Sequence, residues 1–294
     1  MYFPNEVEII EVGPRDGLQN EPLPISTEQK KQLITQLAAA GFSRMETASF
    51  VHPKWVPQMA DSEEIAHFCK QLGITFIALT PNIKALERAI AANAPQIAVF
   101  IGASNTFNKK NVNKTTSESL DDCEQIFARA KAKGMFVRAY VSMAFTCPFQ
   151  GEVTFEEVKS VCDRFSELGA DEIDIGDTNG KANPRMVYER FSRLRDLYPN
   201  ATFVGHFHDT EKMALANVVA AMQAGVEKFD SSIGGLGGCP YSPGATGNVA
   251  TEELVKMLEQ MGCQTNIDYL QLQKAAPFAK SLSSRIEIHA KERL

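Results

Sequence analysis

Short runs of β-branched and apolar residues alternate with longer helical patterns along all 294 residues of the chain. Eight runs read as strands, because they are short and are bounded by glycine, proline or polar residues. They lie at 6–12, 44–49, 75–79, 96–101, 136–142, 172–175, 202–208 and 228–232. Each run precedes a helical pattern with its own start and stop residues. These patterns lie at 27–40, 62–72, 81–92, 117–133, 154–168, 184–198, 212–224 and 250–261.

Eight strand–helix pairs are typical of an α/β protein built as a closed (β/α)₈ TIM barrel. A doubly wound open sheet is the alternative, but at this length it would normally divide into two domains. No Pro/Ser-rich linker, charge run or low-complexity segment marks such a boundary. We therefore predict one catalytic domain over 1–294, with the barrel at about 6–262 and a C-terminal extension at about 263–294. One more helix is predicted in the extension, at 271–284.

The charge pattern and composition argue against several classes of partner. The formal net charge is −6 and no basic stripe is present, so a nucleic-acid partner is not expected. No apolar stretch approaches the roughly 20 residues that cross a bilayer, and the first residues do not resemble a signal peptide. Six scattered cysteines without a Cys-x-x-Cys pair predict reduced thiols and a cytoplasmic protein. They are Cys69, Cys123, Cys147, Cys162, Cys239 and Cys263.

The segment 202–209 carries a His-x-His pair. Alternation along a strand sends His206 and His208 to one face and Phe207 to the other. Two imidazoles on one face can converge on a single ion. The alternative is two hydrogen-bonded histidines near a strand end, and the pair alone does not decide between these readings.

The polar residues near the predicted strand ends favour the metal hypothesis. In a TIM barrel the chemistry lies at the carboxyl ends of the strands, which all meet at one rim. Five of the strands carry polar residues in or just after this end, so the side chains are expected to converge there. They are Arg15 and Asp16 after the first strand, Glu46 in the second, Asp177 after the sixth, the two histidines in the seventh, and Asn248 after the eighth.

Two imidazoles, the Asp16 carboxylate and the Asn248 amide form a mixed ligand set that leaves room for two substrate oxygens. Six-coordination of this kind suits Mg²⁺ or Mn²⁺ better than a closed tetrahedral zinc. The glycine-rich segment 234–247 is either a simple connection or a lid with glycine hinges that brings Cys239 over the ion. A small buried residue is the alternative role for this cysteine.

Four segments resemble the 3-hydroxy-3-methylglutaryl-CoA lyases, a family within the metal-dependent TIM-barrel lyase and Claisen-condensation superfamily. The resemblance covers nearly the whole chain, and its first segment and cysteine loop are highly specific. His-x-His is shared more widely across the superfamily. The segments are 11–20, 49–58, 206–209, and 234–248 with 250–253.

This resemblance implies cleavage of 3-hydroxy-3-methylglutaryl-CoA to acetyl-CoA and acetoacetate, in leucine degradation, by a homodimer. It implies that Asp16, His206, His208 and Asn248 hold the ion and that Arg15 contacts the thioester carbonyl. The remaining expected roles are substrate binding by Gln19, catalysis by Cys239, and support by the acidic residues Glu46 and Asp177. In this mechanism Asp16 or an ordered water removes a proton, and Cys239 or His206 returns one.

One segment departs from the family pattern. Asp177-Thr is usually followed by an apolar residue and glycine, whereas this chain has Asn179 and Lys181 around the glycine. A lyase acting on a different 3-hydroxyacyl-CoA is therefore an alternative. A synthase that condenses an acyl-CoA with a 2-oxo acid is disfavoured, because the chain ends soon after the barrel. A non-catalytic binding protein is disfavoured because Arg15, Asp16 and Cys239 are all present.

Coenzyme A carries phosphates that need cationic partners. Candidate cations are three lysines in the predicted loop after the fourth strand and one arginine near the C-terminus, although solvated side chains are an equally good reading. They are Lys109, Lys110, Lys114 and Arg285.

Overall fold

The computed structural model describes residues 3–238 and 247–283. In these residues eight parallel strands form a closed barrel, and two further short strands pair as an antiparallel hairpin. The strands are β1 (Glu8–Glu11), β2 (Arg44–Ser49), β3 (Thr75–Leu79), β4 (Gln96–Gly102), β5 (Phe136–Ser142), β6 (Thr146–Cys147), β7 (Gly151–Glu152), β8 (Glu172–Asp177), β9 (Phe203–Phe207) and β10 (Lys228–Ser231).

The barrel closes in the order β1-β10-β9-β8-β5-β4-β3-β2, and β2 pairs again with β1. All eight pairings are parallel, so the carboxyl ends of the strands share one rim. This arrangement confirms the predicted TIM barrel. All eight predicted strands are present, and their ends move by two residues at most.

Helices surround the barrel, and polar caps fix where several of them begin. Ser26, Thr115 and Thr154 each form a capping box with a Gln or Glu three residues later. Every predicted helix is present. The helices are α1 (Thr27–Ala39), α2 (Ser62–Gln71), α3 (Ile83–Ala91), α4 (Asn105–Val112), α5 (Thr116–Ala132), α6 (Phe155–Glu167), α7 (Pro184–Leu197), α8 (Ala214–Gln223), α9 (Thr251–Gln260) and α10 (Tyr269–Leu282).

Three rim features were absent from the sequence prediction. Helix α4 occupies the segment interpreted as a loop, so that interpretation of Lys109 and Lys110 was wrong: both lie in its last turn. The helix buries only Phe107 and Asn108, too few apolar positions to give a periodic signal. The hairpin of β6 and β7 has two residues per strand. Gly13–Gly17 forms a single π-helical turn.

The barrel interior has an apolar part and an ionic part. The apolar part is a small cluster separate from the larger core between strands and helices, and it comes mainly from β1, β3 and β4. Its buried members are Ile10, Val12, Ile77, Leu79, Ala98, Tyr140 and Val204. The ionic part comes mainly from strands β5, β8 and β10, with Arg44 and Glu46 of β2. Charged side chains therefore run through the barrel, from the ion pair of Arg44 with Glu172 to that of Arg15 with Glu46.

The C-terminal helix α10 packs on the outside of the barrel, against α1 and α9. It also approaches the 3₁₀ turn Ile233–Gly235 that follows β10. Gly234 in this turn has a φ of +69°, a conformation that favours glycine, and a side chain there would come 3.0 Å from Lys280 Cγ of α10. Within the described residues, no helix combines the length and apolar character required to span a bilayer.

Candidate metal centre and active site

The π-helical turn after β1 places Arg15 and Asp16 at the rim. The amides of Asp16 and Gly17 both donate to the carbonyl of Val12, which closes the turn tightly. Arg15 is 5% exposed, and its guanidinium donates to Asp16 Oδ1 at 2.8 Å and to Glu46 Oε2 at 2.7 Å. One carboxylate from the same turn and one from β2 therefore fix the orientation of one buried cation.

The two histidines of the His-x-His segment point to the same side, as predicted. Their ring centroids are 5.3 Å apart. Phe207 between them points the other way and packs against Phe145, Phe191 and Phe229 in the core behind the strand. This aromatic packing anchors β9 and holds both imidazoles at the rim.

Asp16 meets both histidines. One ligand atom from each of Asp16, His206 and His208 lies within 4.8 Å of the other two, a spacing compatible with binding to one ion. The barrel therefore brings together groups separated by 190 residues or more in the sequence. Burial disfavours ionisation of Asp16, but the nearby charges of Arg15 and the histidines outweigh it and lower the pKa of the carboxyl.

Asn248 lies beside Asp16 and the two histidines, and its side-chain oxygen shows whether a cation would suit this place. It bridges to His208 through the backbone, and its side-chain nitrogen donates to Asp16 Oδ2 at 2.8 Å. Its Oδ1 is buried and accepts no hydrogen bond from the residues that the structure describes. A buried carbonyl oxygen without a donor is costly unless a cation or water meets it, so the fourth predicted ligand also fits.

A carboxylate behind the rim fixes the ring of His206. Asp230 Oδ2 lies 2.9 Å from His206 Nδ1, which leaves Nε2 for an ion. Burial alone would lower the pKa of His206, but the hydrogen bond to Asp230 and the charges of Asp174 and Asp16 raise this pKa to about 9. A cation that binds Nε2 must therefore displace a proton at neutral pH.

Glu46 links the site to a residue that the sequence reasoning missed. Its Oε2 accepts from Tyr140 as well as from Arg15, and the phenol hydroxyl lies 2.8 Å away. Tyr140 also stands edge-on to His206, with the ring centroids 6.1 Å apart. Its inward position near the end of the predicted fifth strand was the available signal.

Asp177 stabilises the loop that follows β8. Its two oxygens accept from the backbone amides of Lys181 and Ala182, at 3.1 and 3.0 Å. Burial raises the pKa of its carboxyl to about 6, although these hydrogen bonds limit the rise. Asn179 is buried and accepts from Thr146 of the hairpin, whereas the Lys181 side chain is exposed. The two departures from the family pattern thus differ in their surroundings.

The remaining predicted site residues have varied positions. Gln19 donates to Asp16 Oδ1 at 3.1 Å, so it belongs to the same cluster. The ammonium group of Lys110 lies 4.2 Å from the Phe149 ring centroid, and Lys114 pairs with Asp122 on the surface. Cys239 and Arg285 lie outside the residues that the structure describes.

Comparison with known proteins finds relatives that match most of the chain. The chain is 46% identical to hydroxymethylglutaryl-CoA lyase YngG of Bacillus subtilis, over 94% of this chain and 93% of that protein. It is 45% identical to the human mitochondrial hydroxymethylglutaryl-CoA lyase, over 94% of this chain and 85% of that protein. An Acinetobacter baumannii HMG-CoA lyase, solved in complex with coenzyme A and 3-methylmalate, superposes with a TM-score of 0.89 at 38% identity. That superposition covers 96% of this chain and 92% of the other.

A family model described as HMGL-like matches residues 6–278, a span that includes every barrel strand and the histidine pair. Because this match and the relatives both extend over most of the sequence, the chain belongs to the HMGL-like family.

Proposed function

We propose that this protein is a lyase that uses a divalent metal ion to cleave 3-hydroxy-3-methylglutaryl-CoA to acetyl-CoA and acetoacetate. The observation that carries the proposal is the convergence of Asp16, His206 and His208 beside the buried cation Arg15. The relatives described above are named as lyases of this substrate, and one of them was solved with coenzyme A. An acyl-CoA thioester is therefore the substrate class that this site fits.

The proposed ligands are Asp16, His206, His208 and Asn248, and the proposed ion is Mg²⁺ or Mn²⁺. Oxygen and imidazole donors without thiolate suit these ions. The unpartnered Oδ1 of Asn248 supports its inclusion. When bound, the ion supplies Lewis-acid activation of the tertiary alcohol of the substrate.

Arg15 is the proposed electrostatic catalyst. Cleavage beside a thioester leaves an enolate, whose negative charge needs a fixed positive partner. Glu46 and Asp16 hold the guanidinium in place before the substrate arrives, so little reorganisation is needed during the reaction. The two ion pairs use one hydrogen each of Nη1 and Nη2, so the other N–H groups of the guanidinium remain for the substrate.

Two proton transfers complete the reaction. We propose Asp16 or an ordered water as the base that takes the hydroxyl proton, and His206 or Cys239 as the acid that protonates the departing carbanion. Asp230 holds the Nδ1 side of His206 and the proposed ion takes Nε2, so His206 could serve as the acid only while it is not bound to the ion. We propose Gln19, Glu46 and Asp177 as residues that position these groups rather than exchange protons with substrate.

We also propose a cytoplasmic homodimer. The five described cysteines are all buried free thiols, as expected in a reducing compartment. The human relative is mitochondrial by name, so the family is not restricted to one compartment. The mass in solution, measured by light scattering, tests the assembly.

An assay of the purified protein with Mg²⁺ tests the function. Acetyl-CoA release is followed with 3-hydroxy-3-methylglutaryl-CoA and with 3-hydroxyacyl-CoA thioesters that lack the methyl or the terminal carboxylate. We expect the full substrate to be preferred and chelation to stop the reaction. A clear preference for another thioester would replace the substrate assignment, and would direct attention to Asn179. Absence of any metal-dependent cleavage would overturn the proposed reaction.

A further inference from the structure

Two groups of potential metal ligands overlap at His206. The rim group is Asp16, His206 and His208. A deeper group consists of Asp174, His206 and Asp230, whose ligand atoms also lie within 4.8 Å of one another. Both carboxylates of the deeper group are fully or almost fully buried. Ligand spacing alone therefore does not determine where a divalent ion would bind.

Arg138 lies directly between the carboxylates of the deeper group. It comes from β5 and is fully buried, and its Nη2 is 2.9 Å from Asp174 Oδ2 and 2.5 Å from Asp230 Oδ1. The deeper group thus already holds a cation, supplied by the chain itself. The other Asp230 oxygen, Oδ2, accepts from His206 Nδ1.

We propose that Arg138 acts as the built-in cation of the deeper group, and that it confines the divalent ion to the rim by occupying that place. Arg138 has a second effect through Asp230. By binding Oδ1, it fixes the carboxylate with Oδ2 against Nδ1 of His206, so the ring presents Nε2 to the rim. Arg138 and Asp230 are positioning residues in this arrangement, and the inference rests on the proposed metal site.

Removal of Arg138 is expected to expose a second site. The two buried carboxylates beside His206 would lose the guanidinium that lies between them, and a hard divalent cation could take its place. Asp174 Oδ1 is already buried without a hydrogen-bond partner among the described residues. Fixed acceptors would therefore surround the place that the guanidinium had left.

Titration of metal-depleted full-length protein with Mn²⁺ alone, followed by electron paramagnetic resonance, counts the sites. We expect one Mn²⁺ per native chain, two per Arg138→Met chain, and one per Arg138→Lys chain, because lysine restores the charge. In the background of His208→Ala, which disables the rim group, Arg138→Met should restore binding of one ion. Arg44→Met is the matched control, since Arg44 is also an interior arginine held by two carboxylates, Glu8 and Glu172, but has no histidine partner.

The outcomes separate this inference from the proposed function. If native protein binds no Mn²⁺, the metal site itself fails. If native protein binds one ion and Arg138→Met also binds only one, with unchanged affinity, Arg138 does not exclude a second ion and the inference is overturned.

A second variant covers the case in which Arg138→Met does not fold. Asp230→Asn should weaken Mn²⁺ binding about 10- to 100-fold, in the range known for loss of a carboxylate behind a ligating histidine. Glu172→Gln replaces another buried carboxylate in the same way, further from His206. This control should leave the Mn²⁺ affinity within about threefold of the native value. Equal effects of these two changes would refute the positioning role.

Discussion

At the scale of single residues, the two ion pairs of Arg15 explain why this position needs an arginine. Its guanidinium reaches Asp16 with one nitrogen and Glu46 with another. A planar fork can satisfy two carboxylates in fixed directions and keep further N–H donors, whereas the compact ammonium of lysine cannot reproduce this geometry. We therefore expect the Arg15→Lys variant to keep its charge but lose the geometry of the site.

Arg15→Lys should lower kcat by roughly 100-fold, because loss of one preorganised donor typically costs that much. Steady-state kinetics with Mg²⁺ measure this effect, and Mn²⁺ affinity measured in parallel should change much less. Lys31→Arg is a suitable control, since this residue pairs with Glu28 and Glu64 on the surface. A kcat within about threefold of the native value would remove Arg15 from the proposed electrostatic role.

The sequence identified residues whose significance depends on local pattern. The strand period of two placed His206 and His208 together, and the position after a strand end drew attention to Arg15 and Asp16. Tyr140 and Asp230 were missed. Their importance arises from contacts across the barrel, which depend on strand register and on side-chain directions that no local pattern records.

At the scale of elements, one buried glutamate joins three pieces of the rim. Glu11 ends β1, and its oxygens accept from the amides of Gly13 and Ile233 and from the hydroxyl of Thr251 at the start of α9. It thus connects the turn that carries Arg15 to the segments on either side of the glycine-rich loop. Burial raises the pKa of Glu11 to about 8, and the hydrogen bonds it accepts do not cancel that effect.

The raised pKa of Glu11 predicts that this residue stabilises the fold less as the pH rises. The native carboxyl of Glu11 holds its proton more tightly than an unfolded glutamate of pKa 4.5. Its contribution to the free energy of unfolding is therefore complete below pH 4.5 and is lost as the pH rises towards 8. Glu11→Gln cannot titrate. The free energy of unfolding of native protein minus that of the variant should therefore fall between pH 5 and 8, by up to about 1.4 kcal/mol per pH unit. Urea unfolding at four pH values measures it.

Other ionisable groups titrate in both proteins and cancel in this difference. Glu118→Gln provides a control, because it alters an exposed capping carboxylate whose pKa is lowered instead of raised. A difference between native protein and Glu11→Gln that stays constant from pH 5 to 8 would contradict the raised pKa.

Element prediction succeeded where a segment has a long periodic signal. All strands of the barrel were found because buried parallel strands are apolar and are separated by capped helices. Helix α4 and the hairpin between β5 and α6 were not found. Both are short, and they are held by contacts such as Asn179 with Thr146 and Ser104 with Gln150, which lie far apart in sequence.

At the scale of the whole molecule, the barrel stacks charges in layers from one mouth to the other. The layer at the mouth opposite the histidines contains Glu8, Arg44, Glu172 and Lys228, joined by ion pairs of 2.6 to 2.9 Å. These residues come from four strands, β1, β2, β8 and β10. Eight strand–helix pairs predicted the closed barrel, but its ionic interior could not be predicted, because charged residues in a strand do not reveal their partners.

The lower layer leads to a prediction that separates stability from catalysis. Glu172 is 1% exposed, and Arg44, Lys228 and Arg138 all lie within ion-pair distance of it. Breaking a buried ion pair from one side leaves uncompensated charge and typically costs about 3–5 kcal/mol. Glu172→Gln should therefore lower the free energy of unfolding by that order, measured by urea denaturation.

The same variant should change kcat/KM of the folded enzyme by less than about threefold, because stability and chemistry lie at opposite mouths of a TIM barrel. Glu63→Gln, which breaks an exposed pair with Arg88, should cost less than about 1 kcal/mol and serves as the control. If Glu172→Gln lowered kcat/KM tenfold with little loss of stability, the charges would be coupled along the barrel. Arg138, which contacts Glu172 as well as Asp174 and Asp230, would then be the residue that transmits the change to His206.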